Sequence, residues 1–125
     1  MENWDLRDLN LKPRLPEILS TTDSARAIAL DLAAGEELGD HQVHERAWVL
    51  VVDGEVEVSS ATGQSVTGGP GLLIQFPPAE RHAVSAISDV RLLLLLTPWP
   101  GKDHPGAMTI QEKLYVRRHA AKRSE

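Results

Sequence analysis

Residues 45–60 read ERAWVLVVDGEVEVSS. Two β-branched runs flank Asp53-Gly54, and an Asp-Gly pair supplies the positive φ angles that tight hairpins demand. The stretch therefore predicts a β-hairpin, AWVLVV turning through DG into EVEV.

Working outward, short apolar runs alternate with turn signals every eight to twelve residues over most of the chain. That spacing favours an all-β sandwich or barrel over a fold of alternating strands and helices. Strands are expected at Ala25–Ala33, Glu45–Val52, Glu55–Ser60, Gln64–Thr67, Leu72–Phe76, His82–Ile87 and Val90–Thr97. Turns are expected at Ala34-Gly35, Thr62-Gly63, Gly68-Gly69-Pro70-Gly71 and Pro77-Pro78. Thr109 and Glu112 have capping-box spacing, with Ile110 and Leu114 following at helical spacing, so a helix is expected from there to about Ala121. The organisation is one domain: an N-terminal strap over 1–24, a β-barrel over 25–98, and a loop with a C-terminal helix over 99–125. Ala47–Val52 and Leu92–Leu96 are apolar at positions that would face both ways from a strand, so something must cover the second face. A homodimer is the expected cover.

The chain has 125 residues, 42% apolar and 25% charged, which fits a single globular domain able to bury its own core. It has no cysteine. That excludes disulfides, thiolate zinc sites, iron–sulfur clusters and cysteine nucleophiles, and leaves His, Asp and Glu as metal ligands. It suits a reducing cytoplasm. Glu2, Asp5 and Asp8 stand where a secretory leader needs basic residues and an apolar run, so no export signal is expected. The longest leucine run, Leu92–Leu96, is far shorter than the ~20 residues of a bilayer span, so no membrane partner is expected. The net charge of −5 conceals an uneven distribution. Residues 113–125 hold five Lys or Arg against one Glu, a charge of +4, and the remaining body holds eight basic and seventeen acidic residues, a charge of −9. An acidic body argues against nucleic acid as a partner.

Gly35, His41 and Gly54 fall at the spacing G-x5-H-x12-G, and Gly71, Pro77 and His82 at G-x5-P-x4-H. This paired pattern resembles the two motifs of the cupin superfamily, G-x5-H-x-H-x3,4-E-x6-G and G-x5-P-x-G-x2-H-x3-N. Val43 stands at the second histidine, Ala47 at the glutamate, Ala79 at the second-motif glycine and Ala86 at the asparagine. Two of the four family metal ligands are therefore replaced.

The resemblance implies a double-stranded β-helix, a jelly-roll barrel, with the motif residues facing inward and Val43, Ala47, Val84 and Ala86 lining the pocket. If one strand ran from His41 to Ala47, period-two alternation would put His41, Val43, Glu45 and Ala47 on one face. His41, Glu45 and His82 would then make a two-histidine, one-carboxylate set for Fe(II), Mn(II), Ni(II) or Zn(II). A β-bulge between Val43 and Glu45 would instead turn His44 inward as the alternative ligand. The competing view makes His41 and His82 hydrogen-bonded residues of a metal-free pocket, and Glu45 a rim residue or a partner of Arg46 or Arg81. His104 is expected in a turn, and Trp48, Trp99 and Phe76 in packing. No G-x-S-x-G elbow or phosphate-binding loop is present.

Three functions follow from the resemblance: a barrel holding a small organic ligand with a weakly held divalent metal, a metal-dependent dioxygenase or isomerase acting on a small carbonyl or phenolic substrate, and a sensor or interaction module. The first has the most support in the residues, because Val43 and Ala47 make the pocket roomier and less polar.

Overall fold

The computed structural model describes residues 1–41, 45–97 and 116–118, with residues 39–41 and 116–118 described by their backbone path alone. Ten strands form two five-stranded antiparallel sheets. They are β1 (Glu17–Thr21), β2 (Arg26–Leu32), β3 (Glu36–His41), β4 (Arg46–Asp53), β5 (Val56–Ser60), β6 (Ser65–Gly68), β7 (Leu73–Phe76), β8 (His82–Ala86), β9 (Val90–Thr97) and β10 (Val116–Arg118). The orders are β1-β2-β9-β4-β7 in one sheet and β10-β3-β8-β5-β6 in the other. From β2 to β5, and again from β6 to β9, the chain changes sheet at every connection. This is the winding of a double-stranded β-helix, as the motif spacing implied.

The quoted stretch does form two strands around Asp53-Gly54, but they do not pair as a hairpin. β4 lies between β9 and β7, while β5 lies between β8 and β6, so both edges of each strand are already taken. Gly54 has φ +84°, and Asp53 is not in the left-handed region that the commonest Asp-Gly hairpin turn requires at both residues. The Asp-Gly pair is a corner between sheets. Glu55 N–H donates to the Ser88 hydroxyl at 3.0 Å, and Ile87 N–H donates to the Glu55 carbonyl at 2.9 Å, which ties this corner to the β8–β9 turn.

One core fills the space between the sheets. Along β9, Val90, Leu92, Leu94 and Leu96 are buried while Arg91, Leu93 and Leu95 are only partly covered; β4 alternates the same way, with Ala47, Val49 and Val51 inside. The two-faced apolar runs therefore turn one face to the core and the other to the outside of the first sheet. Part of that outer face is covered by the N-terminal strap, where Trp4 and Leu6 line a shallow hollow together with Leu50 and Val52. Arg91 holds the strap in place. Its Nε and Nη2 donate to the two oxygens of Asp31 at 2.8 and 2.9 Å, and its Nη1 donates to the Leu6 carbonyl at 2.9 Å. The hydrogen bond from Asp31 raises the Arg91 pKa further above its ordinary value. A second attachment joins Arg14 to Glu36 at 3.1 Å.

Two strands lie where the sequence suggested none. β1 falls inside the expected strap; it pairs with β2 through a turn in which the Thr22 hydroxyl accepts from Ser24 N–H and Ala25 N–H. β3 opens on Glu36-Glu37, an unusual strand start, and both carboxylates are buried. Glu36 accepts from Ala33 N–H at 2.7 Å and Glu37 from the Ser85 hydroxyl at 3.0 Å, which offsets their desolvation. The expected C-terminal helix lies mostly outside the described residues. Its described part, Val116–Arg118, is instead the strand β10 on the edge of β3, with Arg117 in register with Glu37 and Arg118 with Glu36.

A methyl group at Gly54 would collide with the Asp89 carbonyl and lie 2.8 Å from Val90 Cα, whereas one at Gly35, with φ +85°, would meet nothing within 4 Å. Gly35→Ala is expected to cost only the left-handed backbone penalty, about 1–2 kcal/mol. Gly54→Ala is expected to cost about 2–5 kcal/mol, because overpacking adds to that penalty. Urea denaturation of both variants checks the difference, and equal losses would contradict the close approach at Gly54.

Candidate functional site

His82, the histidine of the second motif, begins β8 with 3% of its surface exposed. It shares the inner face with Val84 and Ala86, both buried in the core. Two contacts fix its ring. Phe76 stacks on it, with centroids 3.8 Å apart and planes 8° from parallel, and Nδ1 lies 3.1 Å from the Glu80 carbonyl. A carbonyl can only accept, so Nδ1 carries a proton. A histidine that ligates a metal through Nε2 is commonly held at Nδ1 in the same way.

The turn before β8 sets this geometry. Glu80 N–H donates to the Pro77 carbonyl at 3.2 Å, and Ala79 has φ 66°. Ala79 therefore stands, with a side chain, in a left-handed conformation that glycine would occupy without penalty.

His41 ends β3, and its backbone is in direct register with His82 on β8. The register shifts between Leu38 and His41; the bulge expected between Val43 and Glu45 lies outside the described residues. The expected alternation from His41 to Ala47 along one strand does not hold, because the chain leaves the second sheet after His41 and enters the first at Arg46. Glu45, at that entry, is nevertheless buried, with 2% exposed. Ala47 follows it on the inner face and is in register with Phe76. Val43, His44 and His104 lie outside the described residues. Among the described residues no three His, Asp or Glu side chains converge as a metal group.

The sequence reading missed Arg26. Ile28, Leu30 and Leu32 are buried along β2, so period-two alternation places Arg26 on the same inner face. It is in register with Thr21 on β1 and Leu96 on β9, and Leu96 is in register with Ala47. Thr21, Arg26, Leu96, Ala47 and Phe76 thus form one inner row across the first sheet. Arg26 Nε donates to the Thr21 hydroxyl at 3.1 Å. Burial lowers the Arg26 pKa, and the nearby charge of Glu45 opposes that shift without overcoming it. The signal was available in the sequence: Arg26 lies two residues before an inward isoleucine. Ser60 was missed too; it is in register with His82 across β5 and β8.

One end of the barrel therefore has an apolar floor of Leu96, Ala47 and Phe76, around which stand an imidazole, a carboxylate and a guanidinium. Such a site can orient a small amphipathic molecule, exchange a proton at His82 Nε2, and contribute donors to a cation.

Comparison with known proteins agrees with this architecture. The profile of the cupin domain family matches residues 29–98, more than half of the chain. An RmlC-like cupin from Desulfovibrio desulfuricans superposes with a TM-score of 0.70 at 19% identity, covering 78% of this chain and 97% of its own. An RmlC-like cupin with a double-stranded β-helix fold from Methanocaldococcus jannaschii gives 0.65 at 18%, covering 75% and 86%. KdgF from a Halomonas species gives 0.61 at 24%, covering 66% and 78%. No curated protein matches the sequence.

Ala79→Gly is expected to stabilise the fold by on the order of 0.5 kcal/mol, since relief of left-handed strain, about 1–2 kcal/mol, exceeds the added chain entropy of about 0.4–1 kcal/mol. Thermal unfolding should show a higher Tm; an unchanged or lower Tm would mean that the Pro77–Glu80 turn is not strained at Ala79.

Proposed function

The chain belongs to the cupin domain family, and from that premise we propose that it binds a small organic ligand in the His82 end of its barrel. One observation carries this reading: a buried imidazole held at Nδ1 by a carbonyl and backed by a stacked phenyl ring, at the edge of an apolar core. Small-molecule sites combine apolar walls with a few oriented polar groups, the composition found here.

His82 and Glu45 have the donor chemistry for a divalent ion such as Fe(II), Mn(II), Ni(II) or Zn(II), but two donors fall short of the three that catalytic metal sites keep. His41, in register with His82, would be the third, so the metal in this reading is weakly held. When bound, such an ion would polarise a ligand oxygen. The alternative is a metal-dependent enzyme, a dioxygenase or isomerase on a small carbonyl or phenolic substrate, for which the fixed ring of His82 would serve as a ligand. In that case Glu45 would complete the ligand set or act as the base.

Ligand-observed NMR with a fragment library tests the binding reading. Hits are expected to shift the resonances of His82, Phe76 and Leu96 and to weaken at least tenfold in His82→Ala; hits that leave these resonances unmoved would refute it. Calorimetric titration of metal-free protein with Mn(II), Ni(II) and Zn(II) separates the alternatives. Weak binding lost in His82→Ala and Glu45→Gln is expected, while tight stoichiometric uptake would favour the enzyme.

The outer face of the first sheet supports a further part of this reading, a homodimer in the cytoplasm. Trp48, Leu93 and Leu95 remain partly exposed there, and Leu73 is 55% exposed. A second copy would cover them. Light scattering at micromolar concentration should give twice the chain mass, and Leu93→Glu should halve it; a monomer in the wild type would remove the dimer.

A further inference from the structure

We propose that the cavity between the N-terminal strap and the end of the first sheet remote from His82 binds an organic cation, a protonated amine on a short apolar body, through Asp53 and Asp89.

The space is built by corner residues of the barrel and walled on one side by the strap. It measures about 660 Å³, within the range of small-molecule sites, and is lined from the end of β2, the end of β4, the turn at Pro70, the start of β9, and Arg7 and Pro13 of the strap. Leu32 is in register with Val90 here, whereas Arg26 is in register with Leu96 at the other end of the same pairing. Pro13, Ala33, Val52 and Pro70 give the cavity apolar surface, and all four are exposed or half-buried, so a ligand can reach them without opening the core.

The charged groups on the wall fall into two sets. Asp31 and Arg91 belong to the fold, since Arg91 spends Nε and Nη2 on the two oxygens of Asp31 and Nη1 on the carbonyls of Leu6 and Arg7. Asp53 and Asp89 are exposed, and each is oriented by one backbone donor. Oδ1 of Asp53 accepts from Gly54 N–H and Oδ1 of Asp89 from Ala34 N–H, both at 3.0 Å. Among the described residues neither Oδ2 has a donor from the chain, so both can accept from a ligand. The two acids stand at adjoining corners: Gly54 packs on the Asp89 carbonyl, and Asp53 is in register with Arg91, two residues after Asp89.

Charge sets the sign of the ligand. On the wall two arginines face three aspartates, a balance of −1. Arg7 is drawn away from the cavity, its side chain 79% exposed and its Nε 3.7 Å from Asp5. A monovalent cation completes the balance, an anion worsens it, and a neutral molecule leaves it unchanged. An ammonium carries three donors, enough for both Oδ2 atoms. Two carboxylates on an open surface would hold an amine weakly, but the strap opposes this pair with a wall, so the same molecule can lay its carbon body on Pro13, Val52 and Pro70.

The test titrates butylammonium and benzylammonium, each paired with its alcohol, into the full chain at low ionic strength, followed by protein-observed NMR. The expected result is binding of each amine about fivefold or more tighter than of its alcohol, the scale of one exposed ion pair, with the largest shifts at Ala33, Val52, Asp53 and Asp89. Asp53→Asn and Asp89→Asn, which keep the Oδ1 acceptor, should each lower that preference and together abolish it. Arg7→Gln should tighten the amines and not the alcohols. Asp23→Asn, between β1 and β2 at the other end of the sheet, should leave the preference unchanged. An equal loss in Asp23→Asn would show that only net charge acts and would overturn the proposal, as would alcohols that bind as tightly as amines, shifts confined to the His82 end, or no binding of any probe. If an Asn variant loses the native spectrum, the shift map and the amine-to-alcohol ratio in wild type and Arg7→Gln decide. None of these outcomes bears against the barrel site, which lies at the other end.

Discussion

The antiparallel pairing of β9 with β2 on one side and β4 on the other is the constraint on which the rest depends. It runs the full length of the strand, from Val90 opposite Leu32 to Leu96 opposite Arg26, and from Arg91 opposite Asp53 to Thr97 opposite Arg46. Because side chains alternate with period two, this register fixes what every neighbouring side chain can do. Even positions of β9 fill the core with leucines. Odd positions place Arg91 beside Asp31 on the outside, where the strap is tied down, and leave Leu93 and Leu95 as apolar surface. A slip of one residue would bury Arg91 and Thr97 and turn out Val90, Leu92, Leu94 and Leu96 in exchange for Leu93 and Leu95, so that two fewer aliphatic side chains and one more charge would face the core. At roughly 1.5–3 kcal/mol for each buried aliphatic side chain, that alternative is unreachable.

The same register divides the barrel into two chemically different ends. At one end Asp31 and Arg91 satisfy each other on the outer face, with the strap tied to them. The other brings Arg26, Glu45 and His82 toward the inner face. Polar groups that serve only the fold have short bonds to partners in the same chain, as at the first end. In the proposed reading, the groups at the second end serve a ligand as well. The Glu36 and Glu37 pair is a useful contrast, since both are buried acids and each has a close donor from its own chain.

What was legible in the sequence follows from how local each signal is. The all-β class, most strand positions and the inward place of His82 rest on turn residues and on spacing within a dozen residues. The partner of each strand does not. Asp53-Gly54 marks a sharp turn in either architecture, and only the occupied edges of β4 and β5, set mostly by strands distant along the chain, make it a corner between sheets. β3 was hidden because its two acids look like a loop until the buried Ser85, Ala33 and Arg14 contacts supply their partners. Arg26 was hidden because charge suggested a strand end, although the alternation of Ile28, Leu30 and Leu32 already assigned its face. The reading of Glu45 assumed one strand from His41 to Ala47, a route that fails because His41 ends β3 in one sheet and Ala47 lies on β4 in the other.

The residues that depart from the family motif fit one physical account. Replacing a glutamate by Ala47 removes a charge from the inner row and leaves a small side chain between Leu96 and Phe76, which lowers the polarity of the floor. A metal held there would lose its compensating carboxylate, so the positive charge at this end has to come from elsewhere or be weak. Arg26 supplies a permanent one in the same row, on a strand that needs no metal to be positioned, because β2 is locked to β9 over seven consecutive pairs. His82 keeps its ring fixed by Phe76 and the Glu80 carbonyl, also without an ion. A barrel that orders both its cation and its imidazole through the fold alone does not depend on a metal for shape.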